Sequence, residues 1–123
     1  MNKYYKESEY GMDKIICSYI DASINYGIAQ KEGNSRVVNK NSAKLRKLRK
    51  TINENWDLYA EELKLLLSHE DDYVRLKASY DLLPICTQES LNVLRELETQ
   101  RGLIGFEAEM LIEQWEKGIL HYN

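Results

Sequence analysis

Carboxylates recur near the end of the chain at a spacing that would place them on one side of a helix. Glu109, Glu113 and Glu116 stand at positions i, i+4 and i+7, and no lysine or arginine lies between them. Like charges at this spacing destabilise a helix by about 0.2 to 0.5 kcal/mol per pair. A row kept despite that cost would suit recognition of a basic partner, because complementary fields raise association rates and select partners. A solvated outer helix face is the alternative interpretation.

Four further carboxylates could extend this acidic surface. Two belong to the same half of the chain as the row, and two belong to an earlier helix. We therefore predict a partner-binding surface made only of acidic side chains. Its candidate residues are Glu61, Glu62, Asp81, Glu107, Glu109, Glu113 and Glu116.

The residue types that commonly perform covalent or acid–base chemistry are few in this chain. His69 and His121 have no second histidine at helical spacing, and no GxSxG, HExxH or CxxC motif occurs. Cys17 and Cys86 lie inside apolar helical patterns, which favours buried reduced thiols over a redox or metal role. The carboxylates show no sign of the apolar cleft that acid–base catalysis requires. We expect a protein that is not an enzyme and uses neither cofactor nor metal.

A basic segment supplies an alternative function. No acid occurs between Gly33 and Asn53, and a row of cations on one helix side can follow nucleic-acid phosphates. The row lacks interleaved aromatic residues, and the acidic helix that follows it could neutralise it. Nucleic acid is therefore the alternative partner, and we expect a protein as the main one. The cations are Arg36, Lys40, Lys44, Arg46, Lys47, Arg49 and Lys50.

Composition and length bound the class of protein. The chain has 123 residues, of which 43% are hydrophobic and 30% charged, and its formal net charge is -3. These values are typical of one globular domain with its own core. No run approaches the roughly 18 apolar residues of a membrane span, and the polar first residues lack the apolar core of a signal peptide. We expect a cytoplasmic protein with no membrane partner.

Hydrophobic periodicity predicts six helices and no strands. The clearest hairpin runs from Leu63 to Leu83, with an acidic corner between its two helices. The fourth helix has two apolar strips, one with Val74 and Leu82 and the other with Tyr73 and Leu76. The last helix also has two, one with Ile104 and Ala108 and the other with Leu103, Phe106 and Met110, so both helices are predicted to pack between neighbours. The helices are expected at about 11–31, 36–52, 55–67, 72–83, 87–100 and 103–116.

Consecutive hairpins with short connections favour a small all-α repeat architecture. We predict a single HEAT-like α-helical domain over residues 1–123, in which antiparallel hairpins form a short right-handed α-solenoid. Residues 1–10 would form a polar tail and residues 118–123 a short C-terminal tail. A closed, irregular helical bundle is the structural alternative.

Two segments carry a family resemblance. NKNSAKLRKLRKTI and the stretch from LLSHEDDYVRLKASYDLLPI to GFEAEMLIEQWEKG resemble an uncharacterised bacterial family of HEAT-like helical repeats, known only as a domain of unknown function. The resemblance covers most of the chain after about Ile28, including Asn39 and the corner from His69 to Arg75. It implies that Asp72 caps the second helix of the hairpin, whereas the residues of the corner themselves allow either Asp71 or Asp72 as the N-cap. It also implies that Val74 and Arg75 pack and bridge between repeats.

The resemblance also has a functional implication. Small helical-repeat proteins of this kind are similar to immunity proteins of bacterial toxin systems, including contact-dependent growth inhibition. In those systems each immunity protein neutralises the toxin of its own lineage. The resemblance therefore implies a non-catalytic protein that occludes the active site of a cognate toxin, possible targets including a basic nuclease domain. Its matched residues describe helix corners, so the contact residues come only from the charge pattern.

Overall fold

A computed structural model describes residues 12–122, with side chains from residue 14 onward. Within this range the secondary structure is entirely helical, which confirms the all-α prediction. The predicted polar tail at residues 1–10 lies outside the described residues. None of the described helices has the length and apolar character needed to cross a membrane. The six helices are α1 (Met12–Glu32), α2 (Ser35–Glu54), α3 (Trp56–Leu65), α4 (Asp72–Leu82), α5 (Thr87–Glu98) and α6 (Leu103–Glu116).

The chain divides into two compact units between Leu65 and Leu66. The first unit contains α1, α2 and α3, and the second contains a short 3-10 turn, Leu66–Ser68, followed by α4, α5 and α6. The single-domain and solenoid assignments stay predictions.

In the first unit, α1 and α2 form a hairpin with a short turn. Gly33 adopts a φ of 69°, a left-handed conformation that favours glycine, and this ends α1. The Asn34 side chain then accepts a hydrogen bond from the Val37 amide at 3.2 Å and caps α2. The unit's core consists of one face from each helix, including Ile16, Tyr19, Ala22, Leu45 and Ile52.

In the second unit, α4 is buried on both sides, as its two apolar strips predict. Val74 and Leu82 on one strip and Tyr73 and Leu76 on the other are all buried. This helix packs against α5 and also against α6, which accounts for its two buried faces. The prediction that this helix packs between neighbours is therefore confirmed within this unit.

The corner before α4 differs in one residue from what the resemblance implied. Asp71, and not Asp72, is the N-cap, because its Oδ1 accepts hydrogen bonds from the amides of Tyr73 at 2.9 Å and Val74 at 3.0 Å. Asp72 lies one position later, inside the first turn, where its carboxylate pairs with Arg75. The Asp71 amide donates to Nδ1 of His69 at 3.0 Å, so the histidine stabilises the corner.

The start of α6 approaches the end of α5 closely. Gly102 has a φ of 86° and precedes the helix. A Cβ atom on Gly105 would lie only 2.0 Å from the carbonyl oxygen of Gln100, which is backbone and cannot rotate away. Glycine at position 105 thus sets the distance at which α6 packs on α5.

After α6 the chain folds back along α4. The Tyr80 hydroxyl donates to the backbone carbonyl of His121, and the Tyr122 hydroxyl donates to the carbonyl of Tyr80 at 2.5 Å. The two tyrosine rings stack with centroids 4.5 Å apart. The predicted short C-terminal tail is therefore fastened to the second unit as far as residue 122.

Candidate functional site

The predicted acidic row occupies the solvent side of α6. Glu109, Glu113 and Glu116 are all exposed, while Ile104 and Ala108 are buried on the opposite side. At 3.6 residues per turn, the three carboxylates fall within an arc of about 60°. The periodicity therefore placed these side chains on one accessible strip.

Two of the three carboxylates have cationic neighbours. The Lys117 Nζ donates to Oε1 of Glu113 at 3.1 Å, and Nη2 of Arg95 on α5 lies 3.9 Å from Oε2 of Glu116. Both pairs are exposed, so each contributes at most about 1 kcal/mol to stability. Glu109 makes no ion pair or hydrogen bond within the described residues. The carboxylate most accessible to a partner is therefore Glu109.

The other predicted members of the surface are dispersed. Glu107 is half-buried on the side of α6 that approaches Tyr73, whose hydroxyl is buried. Burial raises the pKa of Tyr73 to about 12, and the negative charge of Glu107 is the next contribution. Asp81 is half-buried on α4. Glu61 is exposed and Glu62 half-buried on α3, in the first unit.

Large apolar side chains share the outer side of α6 with the carboxylates. Leu103 is 47% exposed and Phe106 58% exposed, and Met110 is half-buried beside them. The two apolar strips of this helix predicted packing between neighbours, and that prediction is wrong for the second strip. Position on a helix wheel does not reveal whether a neighbour covers a strip. We call Leu103, Phe106, Glu109, Glu113 and Glu116 the α6 outer face.

The same combination of side chains recurs on α3. Leu58 is 58% exposed and Leu65 is 69% exposed, and the exposed Glu61 lies between them on the helix surface. Four of the seven large hydrophobic side chains exposed in residues 14–122 thus lie beside predicted acidic positions. Sequence analysis selected the carboxylates and missed the apolar residues next to them.

The residues with potential for chemistry are distributed as follows. Neither Cys17 nor Cys86 forms a disulfide, and both are half-buried, whereas the sequence predicted full burial. His121 is exposed and engages α4 only through its backbone carbonyl. Across the described part of the chain, no three or more His, Cys, Asp or Glu side chains are grouped so as to hold a metal ion.

The basic residues lie in the first unit, on the solvent side of α2. Arg36, Lys40, Lys44, Arg46, Lys47 and Lys50 are all exposed, and we call them the α2 basic face. Arg49 is half-buried and is not part of it. The sequence suggested that acidic residues of α3 neutralise these cations. Among residues 14–122, however, none of the six side chains forms an ion pair or a hydrogen bond.

Comparison of the chain with protein-family models, with curated proteins and with solved structures finds no match. The geometry of the described residues therefore carries the functional argument. Two surfaces stand out: the α6 outer face, which is acidic and partly apolar, and the α2 basic face, which is cationic.

Proposed function

We propose that the protein is a non-catalytic binding module of the immunity-protein type, acting in the cytoplasm. Its partner would be a basic toxin domain, such as a nuclease of a contact-dependent growth inhibition system. The module would occlude the toxin's active site with the α6 outer face.

The observation that carries this proposal is the exposure of Phe106 among carboxylates. Protein interfaces combine a desolvated apolar or aromatic centre with a polar rim. On α6, Leu103 and Phe106 supply the apolar centre, and Glu109 and Glu113 supply a rim of negative charge. A solvated helix face, the alternative interpretation of the acidic row, does not need an exposed phenylalanine.

The mechanism would require position and charge alone. A toxin that binds nucleic acid has a cationic cleft, and an acidic face placed over that cleft excludes phosphate by competition and by steric overlap. Toxin–immunity pairs of this kind need a Kd in the nanomolar range, about -12 kcal/mol. Burial of Phe106 would supply affinity, and the carboxylates would supply selectivity and association rate.

The proposal also includes the arrangement of the helices. We propose that the helices continue the HEAT-like pattern of a short right-handed α-solenoid. Within the second unit, α4 packs on α5 and α5 on α6 in chain order, as hairpin repeats do. Arg75 supports this assignment because it pairs with Asp72 and also lies 3.8 Å from Glu96 on α5.

The test is charge reversal on the α6 outer face. The variant Glu109→Lys with Glu113→Lys should weaken binding to a toxin domain encoded beside this chain by about 100-fold or more, because two attractions become repulsions. Binding is measured by calorimetry with the purified domain. Protection of cells that express the toxin should fall in parallel.

A matched control has the same change in charge elsewhere. Glu32→Lys with Glu98→Lys reverses two exposed carboxylates in the last turns of α1 and α5, where cations favour the helix. This control should bind within about three-fold of the wild type, a change below 1 kcal/mol. Equal losses in both variants, or none in either, would show that the α6 outer face is not the contact surface.

A further inference from the structure

We infer that the α2 basic face is a separate binding site for the phosphate backbone of double-stranded nucleic acid. The inference does not rest on the proposed function, because it concerns another surface in the other compact unit. It assigns a ligand class to a set of side chains that the proposed immunity role leaves unused.

Four cations of the α2 basic face form a regular row on the helix. Arg36, Lys40, Lys44 and Lys47 fall within an arc of about 80° on the helix, and they span about 17 Å along its axis. Asn41, Leu45 and Ile52 are buried on the other side of α2, so the cations point to solvent. The result is a straight row of positive charge on one regular helix.

The described residues provide no ion-pair partner for the cations of the α2 basic face. None of the six cations of the α2 basic face forms an ion pair or a hydrogen bond among residues 14–122. The cations also repel one another at i, i+4 spacing, and Arg36 stands in the first turn, where the helix dipole disfavours a positive charge. Bound anions relieve both effects, so the face is suited to a linear polyanion.

On the surface of α2, the residues that lie between the cations are small or polar. No large hydrophobic side chain of α2 is exposed, and the spaces between the cations hold small or polar residues such as Asn39 and Ala43. A protein partner would need apolar anchors, and single-stranded nucleic acid would need aromatic rings for base stacking. A duplex backbone needs only cations and hydrogen-bond donors. The α2 basic face therefore fits a duplex, without preference for base sequence.

Carboxylates at and beyond the end of α2 limit the length of the site. Glu54 ends α2, and Asp57 and Glu61 follow on α3, all three exposed. These carboxylates repel phosphates, so the contact is confined to the part of α2 before them. About four phosphates are then neutralised, and the logarithm of the binding constant should fall with the logarithm of salt concentration with a slope of about -3.6.

The experiment is a fluorescence anisotropy titration of the full chain against a labelled DNA duplex of about two helical turns. An RNA duplex, a single strand of the same length and vesicles containing phosphatidylglycerol form the other arms. We expect both duplexes to bind at about 50 mM salt with the stated salt dependence, and the single strand to bind several-fold more weakly. No duplex binding at this salt, tighter binding of the single strand, or binding to vesicles without binding to duplexes would overturn the inference.

Two variants of equal charge locate the site. Lys40→Gln, Lys44→Gln and Lys47→Gln together remove three charges from the α2 basic face, and we expect duplex affinity to fall about ten-fold or more. Lys14→Gln, Lys31→Gln and Lys117→Gln remove three exposed charges elsewhere and should change it less than about three-fold. Circular dichroism and thermal melting verify that both variants are folded. Equal losses in the two variants would overturn the assignment to α2.

Discussion

Tyr73 in the second unit is both buried and close to negatively charged side chains. Its ring is buried in the α4 core, and its hydroxyl lies near the carboxylates of Glu107, Asp72 and Asp71. Burial of the phenol, followed by the negative charges of Glu107, Asp72 and Asp71, raises its pKa to about 12. The folded protein therefore strongly prefers the neutral form of this side chain.

This preference predicts a loss of stability in alkaline solution. In the unfolded chain Tyr73 ionises near its ordinary pKa of 10.0, whereas in the folded protein it ionises at about 12. The stabilisation is fully present below pH 10 and is lost as the pH rises from about 10 to about 12, by roughly 2 kcal/mol. Urea unfolding of the wild type and of Tyr73→Phe over this range measures the difference. If both lose stability equally, the tyrosine does not titrate as described.

Gly105 permits a second prediction at this scale. In Gly105→Ala the new Cβ would overlap the Gln100 carbonyl oxygen, so α6 or the preceding turn must move, at a cost of about 1 to 3 kcal/mol or more. In Gly33→Ala nothing lies within 4 Å of the new Cβ, and only the left-handed backbone is disfavoured, by about 1 kcal/mol. Thermal unfolding compares the two variants. A Gly105→Ala protein as stable as the wild type would contradict the close approach of α5 and α6.

The two sides of α6 differ in what they contact. Ile104, Ala108 and Ile112 are buried within the second unit, whereas Leu103 and Phe106 are exposed. Apolar area left in water gives no stability to the folded chain, and under the proposed function a partner would cover this phenylalanine. The helix thus packs on one side and exposes apolar area on the other.

This division predicts opposite effects for two substitutions. Phe106→Ala should change the free energy of unfolding by less than about 0.5 kcal/mol, since its side chain is exposed. Leu76→Ala, in the buried face of α4, should lower it by about 2 to 5 kcal/mol. Chemical denaturation measures both values. A large destabilisation by Phe106→Ala would mean that the residue belongs to the core and is not available to a partner.

Sequence patterns predicted the elements well because each pattern depends on local physics. All six helices begin and end within a few residues of their expected bounds, since caps such as Asn34 and breaks such as Gly33 act over a single turn. The Glu113–Lys117 contact was also available from i, i+4 spacing, although our sequence analysis did not use it. Local rules of this kind therefore predict a single helix and its ends.

Contacts between helices were beyond these rules. Arg95 approaches Glu116 only because α5 packs on α6, and no spacing in the sequence indicates that pair. The fastening of Tyr122 to Tyr80 likewise depends on where the chain returns after α6. The candidate site shares this limit: periodicity located its carboxylates, but the exposure of Phe106 depends on which helix faces remain uncovered.

The formal net charge of the chain is only -3, although the chain has two surfaces of opposite charge. The α2 basic face lies in the first unit and the α6 outer face in the second. Their chemistry differs as well as their charge, because only the α6 outer face carries exposed apolar residues. The ligands proposed for the two surfaces therefore differ, and substitutions can change one surface while leaving the other intact.

The central claim is that this chain acts by binding a basic protein through the α6 outer face. The most direct test is to map amide chemical shift changes in the labelled full chain while adding the toxin domain encoded beside it. We predict the largest changes at Leu103, Phe106, Glu109 and Glu113. Changes confined to α2, or an absence of changes on α6 when the domain is bound, would contradict the claim.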